Sequence, residues 1–178
     1  EKMTWGNSRE RVFMRKAQFG YGWDWGPRLP TIGLWRPMEL HKERKAAIAG
    51  THFYTLEINQ AEDQAVVAVK IELDRFATDE ALTAHISLDG KSSVEKTLNI
   101  TGDTATAYII VERPQLWWTH DLGEPYLYTL TVTLKQDDEE LAVSSEKVGI
   151  RTIELDQSVD TDEPGTRFFR FVLNSVPI

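Results

Sequence analysis

The chain has 178 residues, 41% of them hydrophobic and 27% charged, and its 28 acidic against 20 basic side chains leave a net charge of −8. That balance is ordinary for a globular protein, and the acidic surplus argues against partners such as nucleic acid or an anionic membrane surface. No cysteine is present, which excludes disulfides, a thiolate nucleophile and a Cys-ligated metal, and fits a reducing compartment such as the cytoplasm. No apolar run approaches the ~18 residues that a membrane-crossing helix needs, and no signal peptide is visible.

Residues 11–18 and 34–41 read as two strands, with a very different segment between them. Residues 19–36, FGYGWDWGPRLPTIGLWR, hold three of the six tryptophans, four glycines and two prolines. Pro27 lacks an N–H and the glycines disfavour a helix, while Gly and Pro also interrupt a strand ladder. A shaped loop remains, with Asp24 between the indoles of Trp23 and Trp25 and the guanidinium of Arg28 nearby in sequence. Sugars suit such a surface, because C–H faces lie against indoles while hydroxyls bond to a carboxylate. The residues alone equally permit buried core tryptophans and a turn aspartate.

After a charged linker at residues 41–45, period-2 alternation runs from about residue 50 to 155, the mark of half-buried strands. Thr51 opens the first run at 51–58; Val67, Val69, Ile71 and Leu73 line one face of the second; Leu82, Ala84, Ile86 and Leu88 line the third, followed by a tight hairpin turn at Asp89-Gly90. Val94, Leu98 and Ile100, then Ala105, Ala107, Ile109 and Val111, then Tyr126, Tyr128, Leu130, Val132 and Leu134 continue the series, and Leu141, Val143, Val148 and Ile150 complete it. Seven short strands in this length predict an all-β fold, an immunoglobulin-like β-sandwich with flanking partial β segments. Helix should be scarce, a single turn at residues 79–82. An acidic, turn-rich stretch at 156–165 leads to a last strand at 167–173, with Phe169, Phe171 and Leu173 on one face. Both ends of the chain read as cut in mid-pattern.

Few residues elsewhere suggest chemistry. Glu124-Pro125 lies in a Gly-Glu-Pro-Tyr setting that reads as a turn rather than an acid/base carboxyl, so no catalytic residue is assigned. The four histidines are scattered without ligand spacing, and the loop Asp160 to Gly165 fails as a calcium site because Pro164 and Phe171 fall at ligand positions. Hence no metal and no cofactor is expected. Trp117-Trp118 reads as core packing by one indole and domain contact by the other, and Arg151 as an interface or solvent residue. Asn99-Ile100-Thr101 is a formal glycosylation acceptor.

The run RKAQFGYGWDWGPRLPTIGLWRPMEL (residues 15–40) resembles the end of the sugar-binding domain of β-mannosidases in glycoside hydrolase family 2. Trp117-Trp118, LGEPYLYTLTVTL, KVGIRTIEL and FVLNSVPI follow in the order that family shows, so the resemblance spans essentially the whole chain. One departure is Asn174-Ser175, where Asn-Gly would be more typical and a local turn is put in doubt. The resemblance implies that residues 1–45 end a jelly-roll domain, 46–155 form the immunoglobulin-like sandwich, and 156–178 lead into a catalytic barrel that lies outside the sequence. It implies that the parent removes terminal β-mannose by a retaining two-carboxylate mechanism in that barrel, that this chain alone is inactive, and that its partners are the remaining domains and a β-mannoside. It also implies that Asp24 reaches the terminal mannose, flanked by Trp23 and Trp25. A free-standing carbohydrate-binding or structural immunoglobulin-like module is the competing reading.

Residues 46–155 hold the one complete alternating pattern, so this segment should unfold cooperatively by itself. Its melting temperature should be unchanged by a chelator; a metal-dependent transition, or none, would contradict the reading.

Overall fold

The computed structural model describes residues 13–22, 25–40, 42, 45–77, 80–163 and 165–178. The chain divides into two compact units, Glu1–His41 and Lys42–Ile178.

The described residues of the first unit contain one short element, a 3-10 turn at Gln18–Tyr21. The strands expected at 11–18 and 34–41 are absent among the described residues, which are irregular at 13–17 and 34–40. A strand is stable only with a ladder partner, and no described residue of 13–40 pairs in a sheet. Large apolar side chains stay exposed as a result, Phe19, Ile32, Leu34 and Leu40 among them.

In the second unit the alternating runs become β1 (Ala46–Asn59), β2 (Gln64–Arg75), β3 (Leu82–Asp89), β4 (Val94–Ile100), β5 (Thr104–Glu112), β6 (Tyr128–Gln136) and β7 (Glu139–Val148). They form two antiparallel sheets, three strands in the order β1-β2-β5 and four in the order β4-β3-β6-β7. Ile71, Leu73, Leu82, Ile86, Ile109 and Leu130 belong to one buried cluster drawn from both sheets, the filled layer of a β-sandwich. The helical turn expected at 79–82 is replaced: Leu82 opens β3 with its side chain in that layer, and Asp79 lies outside the described residues.

Val143 departs from its expected inward position. β7 carries a bulge where Lys135 pairs with Glu140 but Leu134 pairs with Ala142, so Leu141 is an extra residue. Leu141 and Ala142 both pack on the core, and the alternation beyond them is inverted, which leaves Val143 53% exposed.

Two devices tie loops to the sandwich. Tyr128, at the start of β6 and fully buried, accepts a hydrogen bond at its hydroxyl from Gln115 N at 2.8 Å, the role of a tyrosine corner. Burial raises this phenol's pKa above its ordinary 10.0. The β3–β4 loop spans residues 90–93 rather than forming a two-residue turn, and the same ring requires glycine at its start: a Cβ on Gly90 would lie 2.5 Å from Tyr128 Cδ1. On the other flank, Arg75 donates to the carbonyls of Glu80, Ile100 and Gly102 at 2.7, 3.2 and 3.0 Å, stapling the end of β2 to the β4–β5 crossover.

Three shorter strands complete the unit: β8 (Ile153–Asp156), β9 (Arg170–Leu173) and β10 (Val176–Pro177), in the sheet order β10-β9-β8. The last strand is shorter than the expected 167–173, because β8 ends at Asp156 opposite Arg170 and Phe169 has no ladder partner. Leu173 is buried, whereas Phe171 is 52% exposed. The β9–β10 hairpin turns through Asn174 and Ser175, whose φ values of 48° and 69° are both left-handed, as a two-residue primed turn requires. Asn174 is buried; its Oδ1 accepts from Thr152 N at 2.9 Å and its Nδ2 donates to Trp117 O at 3.0 Å.

The two turn residues should therefore respond oppositely to the same change. Ser175→Gly should stabilise the unit by about 0.5–1 kcal/mol by relieving left-handed strain. Asn174→Gly should cost about 2 kcal/mol or more, since it leaves two polar groups without partners. Denaturant unfolding of both variants checks the pair.

Candidate functional site

The aromatic loop is closed at its root by backbone contacts. The 3-10 turn ends as Gly22 N donates to Phe19 O at 3.3 Å, and Leu29 N donates to Gly20 O at 3.0 Å. Gly22 has φ 98°, and a Cβ there would lie 3.5 Å from Gly26 O and 3.6 Å from Arg28 N. Those are ordinary contact distances, so it is the positive φ that calls for glycine at this position. Tyr21 is the buried aromatic at this root, with the Arg28 guanidinium 5.9 Å from its ring centroid. The sequence reading missed Tyr21, although its place between two glycines was a signal that the chain folds tightly around it.

Of the three residues expected to contact a sugar, Trp23 and Asp24 lie outside the described residues. Trp25 is 81% exposed, which rules out the core reading for this indole in the chain as it stands. A second exposed indole, Trp35, carries the Arg36 guanidinium 4.4 Å from its ring centroid.

In the second unit neither Trp117 nor Trp118 enters the core; both are half-buried. Each instead lies on a glycine. A Cβ on Gly149 would sit 3.0 Å from Trp117 Cβ, and one on Gly123 would sit 3.1 Å from Trp118 Cβ. Trp117 N donates to Ile150 O at 2.9 Å, and the exposed Arg151 guanidinium stands 5.3 Å from the Trp117 ring centroid. Glu124 belongs to the turn that follows, its carbonyl accepting from Trp118 N at 3.1 Å and its carboxylate 3.9 Å from Lys91 Nζ. That placement agrees with a turn role. Among the described residues no group of three or more His, Asp or Glu is placed to hold a metal ion.

Residues 46–151 match the model of glycosyl hydrolases family 2. The chain belongs to this family. Residues 1–36 match a second model, described as galactose-binding domain-like of glycosyl hydrolase 2. Among curated relatives, beta-mannosidase B of Thermothelomyces thermophilus is 32% identical over 98% of the chain, and that of Aspergillus oryzae is 35% identical over 94%. A solved beta-D-mannosidase from Dictyoglomus thermophilum superposes with a TM-score of 0.81 at 27% identity, covering 97% of this chain and 21% of that one. The chain spans about 20% of the length of the curated relatives.

The C-terminal sheet carries an ion pair between Asp156 and Arg170. Asp156 Oδ1 accepts from Ser158 N at 2.9 Å and Oδ2 accepts from Arg170 Nε at 2.9 Å. The Ser158 hydrogen bonds, and after them Arg170, hold the Asp156 pKa below its ordinary 3.8. A carboxyl with a depressed folded-state pKa contributes stability above its unfolded value and loses it as pH falls through the folded one. Protection of the β8 and β9 amides relative to their intrinsic exchange rates should therefore fall below pH 3.8, and Asp156→Asn should remove that acid-side component. An Asp156 carboxyl that titrates at or above 3.8 by NMR would contradict the assignment.

Proposed function

We propose that this chain is part of a longer exo-acting glycoside hydrolase of the β-mannosidase type. In this reading residues 1–45 end a sugar-binding jelly-roll domain, 46–155 are the immunoglobulin-like sandwich, and 156–178 lead to a catalytic barrel. That barrel supplies both carboxylates of a retaining mechanism, one as acid/base and one as nucleophile. The observation that carries the reading is the alignment of nearly the whole chain with proteins named beta-mannosidase, at a fifth of their length. The chain by itself is then inactive, and the longer protein works on β-mannosides in the cytoplasm.

Asp24 is the residue this chain contributes to the sugar pocket. Its carboxylate accepts charge-assisted hydrogen bonds from hydroxyls of the terminal mannose, and Trp23 and Trp25 exclude water and limit its rotamers. The closed root at Gly20–Leu29 and the left-handed Gly22 support the role, because a carboxylate on a pinched loop loses less entropy on binding than one on a free segment.

The decisive measurement is made on the longer protein. Asp24→Ala should lower kcat/KM roughly ten- to a hundred-fold with the melting temperature unchanged, a loss of about 1.5–3 kcal/mol of transition-state binding. A contact shared by substrate and transition state would raise KM; one that tightens only as the ring distorts would lower kcat. Asp24→Asn should be milder, since the amide keeps one acceptor oxygen. A lower melting temperature with kcat/KM within about twofold of the parent would retire Asp24 as a sugar ligand. Micromolar binding of manno-oligosaccharides by residues 1–178 alone, read by titration calorimetry, would favour a free-standing binding module instead.

A further inference from the structure

Tyr126 and Tyr128 meet edge to face with ring centroids 5.0 Å apart, and together they fix the residue that follows β3. A Cβ at position 90 would lie 2.5 Å from Tyr128 Cδ1 and 2.9 Å from Tyr126 Oη, so only glycine fits. The residue before it is Asp89, which makes this the sole Asp-Gly in a chain without Asn-Gly. Glycine leaves its own N–H unshielded by a side chain, the condition in which a main-chain nitrogen best reaches the preceding carboxyl. Both residues are exposed. Asp89 is the last ladder residue of β3, opposite Thr129; Gly90 lies past it, and its N–H makes a long 3.4 Å bond to Ser93 Oγ. The Asp89 carboxylate accepts from Ser87 Oγ at 2.5 Å, an exposed contact within its own strand.

Asn174-Ser175 is the contrasting site. An asparagine closes the same five-membered imide faster than an aspartate, because at neutral pH the aspartate is ionised and a poor electrophile. By chemistry alone Asn174 would therefore react first. The fold reverses that order. Asn174 is 2% exposed with Oδ1 and Nδ2 held at 2.9 and 3.0 Å, and turning its Cγ toward Ser175 N would break both bonds. The other Asn-Ser, at residues 7–8, lies outside the described residues.

We propose that Asp89-Gly90 is a covalent modification site at which isoaspartate forms, and that Asn174 is protected by its two hydrogen bonds. Gly90 N bonds to Asp89 Cγ, and the amide proton leaves with the carboxyl hydroxyl as one water. Water then adds to the imide at the main-chain carbonyl carbon, that C–N bond breaks, and the backbone continues through Cγ with one more methylene. No other reagent is consumed, and the original mass is restored. The added methylene drives Gly90 against rings that leave it no room and strains the Lys91 N to Tyr126 Oη bond, which measures 2.7 Å. The freed main-chain carboxylate is the group that isoaspartyl methyltransferases esterify with S-adenosylmethionine, so the site has a class of enzyme that recognises it.

The test holds residues 1–178 at neutral pH and physiological temperature beside a free peptide of residues 84–95. Isoaspartate is read by methyl transfer from S-adenosylmethionine and located by fragmentation of tryptic peptides. Label should rise over weeks at residue 89 and stay absent at residue 174. Unfolding the chain in urea should restore the opposite order, with Asn174 reacting first. Asp89→Asn should react several-fold faster at this position. Asp89→Glu, whose ring would have six members, should not react, should melt initially like the parent, and should escape the fall in melting temperature that ageing causes. An unmodified Asp89 after the free peptide has converted would overturn the proposal, as would label at Asn174 ahead of Asp89. An order unchanged by urea would overturn it too, because the fold would then not be its cause. These readouts are independent of what the longer protein acts on.

Discussion

The inward side chains of β2, β3, β5 and β6 share one dry layer between two sheets, and the arrangement of residues 46–151 follows from keeping that layer filled. Val67, Val69 and Ile71 face Leu82, Ala84 and Ile86 across it with essentially no exposed surface. At ~25 cal/mol per Å² this burial is the largest favourable term available to the unit, and a one-residue slip in any central strand would forfeit it. Loops must therefore adapt to strand positions. Gly90 leaves room for Tyr128, Arg75 spans the crossover with three carbonyl contacts, and Leu141 absorbs an extra residue in a bulge.

The same layer explains which features could be read from the chain. Period-2 alternation reports burial on one face, so the seven sandwich strands and their inward residues were visible without coordinates. Val143 was misread because a bulge inverts the period without altering composition. The strands read at 11–18 and 34–41 were misread, as far as these residues are described, for another reason: strand-like composition does not become a strand without a neighbour to complete the ladder, and sequence pattern carries no information on whether the neighbour is present. Of the candidate sugar site, the loop and its constituents were legible from Gly, Pro and Trp spacing. The pinch between Gly22 and Arg28 was not, since it depends on a contact across the loop.

Several glycines of the family-like motifs act by absence of a side chain rather than by unusual backbone. Gly123 and Gly149 give Trp118 and Trp117 flat surfaces on which to rest, and a methyl group at either would press against the indole at about 3 Å. Gly22 is different, because its φ of 98° disfavours a side chain although a Cβ there would meet only ordinary contacts. A glycine in such motifs thus has two separable physical meanings, and only the second concerns conformation.

Asn174 has a mechanical consequence. Its amide joins the carbonyl of Trp117, at the end of the sandwich, to the amide of Thr152, at the start of the C-terminal sheet. The C-terminal sheet is thereby coupled directly to the sandwich, and a load on the sheet passes through this hydrogen-bonded bracket. The long connection between β8 and β9 is held to itself, by the Val159–Arg167 bridge and by Phe168 N donating to Ser158 O and Asp160 N to Thr166 O. The sandwich serves as a mount for that sheet, with the Asn174 side chain and the Arg151 N to Thr55 Oγ1 bond as two of the links at the seam.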